Sequence, residues 1–266
     1  MIRPAEVQAL YDSEMRRNPV PRPGSRVERV GPIVRVVGED NYVLFSDLSE
    51  ANAQAVVAAQ ADFFSRRGNE VEWKVFGHDR PANLEAILAA EGFVPDEPET
   101  LVVLDLKDGL PEGTAPAGIE VRRVSGVDGI RDAVTARDAA FGPDDPGISE
   151  RYSRLQEDPN HALFVAYAEG RPVASARIEM APLRSFASLW GGGTAPEYRH
   201  RGIYRGLVYA RAALARSAGY RFLTVDARDT SRPILERLGF VSLTTTRAWV
   251  LRPVSGDLGR VDHRPE

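Results

Sequence analysis

Apolar positions recur along this chain at two spacings, and their order predicts alternating strands and helices. Val7, Leu10, Tyr11 and Met15 share one face of a helix expected over residues 5–17. The proline-rich run 18–24 must be irregular, because each proline restricts the residue before it. Strands are expected at 30–37 and 42–45. A helix capped by Asp47 or Ser49 should run to about Arg67 and stop at Gly68, followed by a strand at 71–76. A helix at 83–90 ended by Gly92 and a strand at 101–106 complete this half, with Trp73 expected in its core.

Residues 107–118 are rich in glycine, proline and small residues, and the domain boundary is expected there. Beyond it the pattern predicts a strand at 119–124, helices at 126–141 and 148–156, and a hairpin of 162–167 with 172–178 turned at Glu169-Gly170. A strand from Phe186 continues into three glycines, Gly191 to Gly193. The next helix carries Ile203, Leu207, Ala210 and Leu214 at i, i+4, i+7 and i+11, which leaves Arg205, Arg211 and Arg216 to face solvent. A strand at 222–225, a helix opened by Ser231 and Pro233 and closed by Gly239, and an extended segment over 240–251 containing Trp249 follow. Residues 253–266 read as a polar tail.

The chemistry concentrates at Ala195-Pro-Glu-Tyr-Arg-His-Arg-Gly-Ile-Tyr-Arg-Gly-Leu207. A strand, a basic turn with a glycine and a helix together suit a phosphate: the first-turn N–H groups lack partners, the helix dipole adds positive potential, and Gly202 permits close approach. The plainer reading is a strand–loop–helix connection with solvated arginines.

The run resembles the acyl-CoA signature of the GNAT superfamily of N-acyltransferases, Arg/Gln-x-x-Gly-x-Gly/Ala, through Arg199, Gly202 and position 204. Tyr204 stands where the family has glycine or alanine, and the sequence leaves open which way its ring points. The likeness spans about residues 118–252. It implies an α/β (α+β) fold with a mixed, mostly antiparallel sheet flanked by helices, and acetyl-CoA as co-substrate. It places the pyrophosphate on the backbone from Arg201 through Gly202, Ile203, Tyr204 and Arg205 to Gly206, with Arg199 and His200 alongside. Gly193, Thr194 and Ala195 would line the pantetheine arm; the competing role for the glycines is a bend or tight packing. Ser231 would contact CoA or, more simply, cap its helix. Asp226, at the end of a strand that splays from the glycine-run strand, would be the base. Glu179 is the weaker candidate, because pairing near Ser185 would put it more than about 10 Å from the glycines at roughly 3.3 Å per residue. Many relatives carry an acid tyrosine where this chain has Leu235. Phe141, Asp144 and Trp190 are candidates for the acceptor pocket, although Pro143-Asp-Asp-Pro146 also reads as a solvated turn.

Ile87-Leu-Ala-Ala-Glu-Gly-Phe93 echoes Ile234-Leu-Glu-Arg-Leu-Gly-Phe240, which suggests a tandem chain: a degenerate GNAT-like domain over 1–110 and a catalytic one over 118–252. The first lacks the signature, so one acyl-CoA site is expected.

Composition prunes the alternatives. The chain has 266 residues, 43% hydrophobic and 27% charged, which suits a globular fold, and its formal net charge of -4 argues against nucleic-acid binding. The absence of cysteine excludes disulfides and thiolate chemistry. The four histidines show no metal spacing, so no metal is expected. No apolar run reaches the roughly 20 residues that span a bilayer, and the first residues do not resemble a signal peptide, so a cytoplasmic protein without membrane contact is expected. The reading is therefore an enzyme acetylating a primary amine of a small molecule or peptide, compatible with a homodimer. Its competitors are a non-catalytic acyl-CoA-binding regulator and, disfavoured by charge, a transferase that uses aminoacyl-tRNA.

Overall fold

The computed structural model describes residues 3–107, 113–143, 145 and 147–253. Asp144, residues 108–112 of the expected 107–118 boundary and nearly all of the expected tail lie outside the described residues. In chain order the elements are α1 (Pro4–Tyr11), continued as a π-helical stretch Asp12–Arg17, β1 (Arg26–Val30), β2 (Ile33–Val37), β3 (Tyr42–Ser46), α2 (Ala53–Ser65), β4 (Val71–Phe76), α3 (Leu84–Ala90), β5 (Val94–Pro95) and β6 (Glu99–Asp105). They continue as β7 (Ile119–Val124), α4 (Gly126–Phe141), α5 (Ile148–Glu157), β8 (His161–Ala168), β9 (Arg171–Glu179), β10 (Phe186–Thr194), α6 (Ile203–Ser217), β11 (Phe222–Ala227), α7 (Arg232–Arg237) and β12 (Val241–Leu251).

The run at 30–37, expected as one strand, is two: Gly31 takes φ 56° and turns β1 back on β2 as a hairpin. Neither expected cap serves α2, whose cap is Asn52; the Asn52 side chain instead accepts from the Ser49 N–H.

The chain forms two compact units, and they do not follow the linear division at 107–118. One comprises residues 1–23 and 98–246, the other residues 24–97 and 247–266. The reason lies in the backbone ladder: β6, from the expected N-terminal domain, pairs antiparallel with β11 from Asp105↔Phe222 to Ala227↔Thr100.

The smaller unit has strands in the order β1-β2-β3-β4, and Trp249 and Val250 of β12 pair with β5. Its core gathers Ile33, Val43, Val57, Phe64, Trp73, Leu84, Leu88 and Trp249. Arg35 is buried there, donating to Glu28 and Gln60 and lying 3.4 Å from the centre of the Phe63 ring.

In the larger unit the strands run β12-β6-β11-β10-β9-β8-β7. Among the described residues, only β10 and β11 pair in parallel there. Alternation divides the side chains between two faces. Ala176, Ile178, Ala187, Leu189 and Leu223 meet Ile203, Leu207, Ala212 and Leu235 of α6 and α7. On the opposite face Leu163, Val165 and Tyr167 meet α4 and α5, and Phe186, Phe222 and Val103 meet Val7 and Tyr11 of the first helix. The Phe186 and Phe222 rings stack at 5.0 Å, and Tyr11 meets Phe186 edge-on at 5.3 Å. This aromatic trio pins α1 over the paired start of β10 and β11. Phe186→Ala should therefore cost about 3–5 kcal/mol, read as a lowered denaturant midpoint in equilibrium unfolding.

Candidate active site

The site begins where a ladder stops. β10 and β11 pair at Phe186↔Phe222, Ala187↔Leu223 and Ser188↔Thr224 and no further, yet both strands continue. β10 goes on to Thr194 against β9, and β11 goes on to Ala227 against β6. The last pair is marked by a buried contact of 3.1 Å between the Ser188 and Thr224 hydroxyls. Beyond it lies an opening between two strand edges.

A bulge shapes one edge. The register of β10 on β9 shifts between Trp190 and Gly193, and Gly191 takes φ 56°. The three glycines serve different needs. Gly191 supplies the backbone conformation. A Cβ on Gly192 would come within 2.9 Å of the Tyr204 ring, and one on Gly193 would collide with the Phe141 ring. Phe141, expected in the acceptor pocket, therefore covers Gly193 while remaining exposed itself, and Trp190 is exposed on the same side of the sheet as Arg177. The Arg177 guanidinium lies 5.8 Å from the Trp190 ring centre.

The basic turn closes the end of the opening. Gly202 caps α6 in the left-handed conformation at φ 82°. The first helical bond runs from the Gly206 N–H to the Gly202 carbonyl, so the N–H groups of Ile203, Tyr204 and Arg205 precede the ladder. The Gly206 N–H is thus spent within the helix, and a Cβ at Gly206 would lie 3.2 Å from the Ala115 backbone. The Ala195 N–H is also engaged, by the Val173 carbonyl, whereas the Thr194 hydroxyl is buried with no hydrogen-bond partner. Arg199, His200, Arg201 and Arg205 are exposed, and among the described residues no carboxylate pairs with the three arginines. Arg199 donates to the carbonyls of Thr194 and Ala140, tying the turn to β10 and α4. The turn thus offers first-turn N–H groups and uncompensated positive charge, which suits a diphosphate.

Two expectations change. Arg211, expected in solvent, is 1% exposed. Its Nε donates to the Leu207 carbonyl and one terminal nitrogen to the Arg177 carbonyl, and burial lowers its pKa to about 10, with Tyr204 opposing. The signal was present: 203, 207 and 211 form one i+4 row of the buried stripe. Ser231 makes no side-chain cap; its hydroxyl donates to the Arg228 carbonyl.

Both carboxylate candidates lie near the opening. Asp226 is half-buried, two residues past Thr224 on the α1 face, and accepts from the buried Thr246 hydroxyl at 2.7 Å. Glu179 pairs with Ser188, not with the region of Ser185, so it too stands beside the last paired step. It is committed elsewhere: Arg22 donates to it at 2.9 Å, and His161, itself 3.0 Å from Asp158, lies 3.5 Å away. Burial works to raise the Glu179 pKa, but His161 and Arg22 outweigh it and hold the carboxyl at about 2. Such a carboxylate is a weak base.

An opening between parted parallel strands, faced by a helix N-terminus with uncompensated arginines, defines the acyl-CoA N-acyltransferase class of fold. Residues 131–240 match the family model for the acetyltransferase (GNAT) family, and this stretch is a GNAT acetyltransferase domain. The chemistry of that family is acyl transfer. No curated protein matches the sequence. Among solved structures the fold is similar to that of a GCN5-related N-acetyltransferase from Kribbella flavida, with TM-score 0.68 and 18% identity over 96% of this chain and 97% of that one. It is also similar to a tandem GNAT protein from the clavulanic acid biosynthesis pathway, with TM-score 0.59 and 14% identity over 89% and 86% of the two chains. A GCN5-related N-acetyltransferase from Sphaerobacter thermophilus gives TM-score 0.59 and 16% identity over 93% and 86%. No helix among the described residues is long and apolar enough to cross a membrane.

Glu179 makes a testable contribution to stability. Its folded pKa lies below the ordinary value of 4.5, so the stabilisation is present above pH 4.5 and lost as pH falls toward about 2. Thermal melts from pH 6 to pH 3 should show a steeper acid loss for the wild type than for Glu179→Gln, with a difference on the order of 2 kcal/mol.

Proposed function

We propose that the chain is a cytoplasmic N-acetyltransferase that moves an acetyl group from acetyl-CoA to a primary amine by direct attack. The observation that carries this reading is the end of β10–β11 pairing at Ser188↔Thr224, with the β10 bulge on one lip and the N-terminus of α6 at its end. The backbone past the bulge, Gly193 to Ala195, would take the pantetheine arm. The first turn of α6 would take the diphosphate, with Arg201 and Arg205 adding charge. Asp226 would accept the amine proton, directly or through water, while Thr246 fixes one of its oxygens. Phe141 and Trp190 would border the acceptor amine, and Asp144 is retained as an acceptor candidate. Residues 1–110 and 118–252 are read as a duplicated pair in which only the second half keeps the acyl-CoA signature.

A second reading, acyl-CoA binding without turnover, draws on Leu235, which is fully buried and carries no hydroxyl where relatives have tyrosine.

Calorimetric titration of the full chain with acetyl-CoA should show one site. Gly202→Val, forced to hold φ 82° with a side chain, should weaken binding by at least about tenfold. No heat of binding for the wild type would overturn the reading. Thiol release over a panel of primary amines separates enzyme from binder, and Asp226→Asn should lower kcat/KM by about 10²-fold or more. Full turnover by that variant at every pH would remove Asp226 as the base.

A further inference from the structure

The acid that protonates the departing sulfur is missing from its usual place, and the structure offers another phenol. Tyr204 is the residue by which the turn departs from its family pattern. Its ring points inward, against Gly192 at the β10 bulge. The Arg211 guanidinium, two turns further along α6, lies against the same glycine, and its charge and the Ser231 hydroxyl at the start of α7 both act to lower the phenol pKa. The ring therefore stands where the bulge of β10 meets the start of α6, at the opening between β10 and β11.

Arg211 is an unusual companion. It is buried on the α6 side of the sheet, and a Cβ on Gly192 would lie 3.6 Å from its second terminal nitrogen. Among the described residues no carboxylate pairs with it; its two side-chain hydrogen bonds go to carbonyls. A buried cation without a counter-ion is costly unless something negative arrives. Burial raises the Tyr204 pKa while Arg211 and Ser231 oppose the rise, so the phenol keeps its proton at neutral pH but its anion has a ready stabiliser. Asp226 stands with Thr224 on the α1 face, and Tyr204 approaches from the α6 face. A base and an acid on opposite faces of one opening match an attacking amine and a leaving thiol.

We propose that Tyr204 is the general acid for the CoA leaving group and Arg211 the positioning residue that steadies its phenolate, an inference that rests on the acetyltransferase reading above. The amine nitrogen bonds to the acyl carbon. The C–S bond breaks with its electron pair on sulfur, and the Tyr204 hydroxyl gives that sulfur its proton. The amine proton taken up by Asp226 returns to the phenolate through water, so amine and thioester become amide and CoA thiol with no other reactant.

The test needs no knowledge of the acceptor. Calorimetry compares CoA with desulfo-CoA, which lacks the sulfur. The wild type should bind CoA about three- to tenfold more tightly, the size of one hydrogen bond. Tyr204→Phe, which keeps the ring and the backbone N–H, should close that gap. Arg211→Met should also close it, and Arg211→Lys, which keeps the buried charge, should restore most of it. Equal binding of both ligands to the wild type, or a gap that survives Tyr204→Phe, overturns the assignment. Failure of both ligands to bind removes the acyl-CoA reading beneath it.

Discussion

The larger unit depends on an interrupted ladder. A parallel pair of strands normally satisfies its backbone groups along its whole length. Here β10 and β11 stay joined for three residue pairs and then part, each held from the outside by an antiparallel neighbour. The stacked rings of Phe186 and Phe222 hold the joined end and the glycine bulge turns the other end away. The outcome is an opening with backbone edges on two sides, a shape that no side-chain substitution alone could create.

Packing around that opening is divided by face. Helices α6 and α7 fill one side with aliphatic side chains, while α1, α4 and α5 cover the other. The division has a chemical consequence. Carboxylates and their partners, Asp226 with Thr246 and Glu179 with Arg22, lie on the second face, and the phenol–guanidinium pair of Tyr204 and Arg211 lies on the first. Glu179 is held as a carboxylate by Arg22 and His161 and serves the fold, whereas Asp226 accepts from the Thr246 hydroxyl.

Much was legible in the sequence because it is local. The period of Ile203, Leu207 and Leu214 specified α6, Gly202 specified its start, and the order of strands and helices after Ile119 specified the family fold. Glycines 191 to 193 marked an irregular strand, although their separate reasons, a positive φ, the Tyr204 ring and the Phe141 ring, needed three-dimensional neighbours. Arg211 was misread as solvent-facing because an arginine on a buried stripe is satisfied only by carbonyls that the fold delivers, those of Leu207 and Arg177.

By itself, then, the sequence determined most of the elements, the basic turn and the chemistry those residue types can carry, since propensity and capping act over a few residues. The tertiary structure decided the rest. Strand pairing assigned β6 to the larger unit, register brought Glu179 beside Ser188, and packing turned Tyr204 inward toward Arg211. Each joins residues tens of positions apart, and contacts over that separation are chosen by how whole elements bury their faces and pair their backbones, which no local pattern encodes.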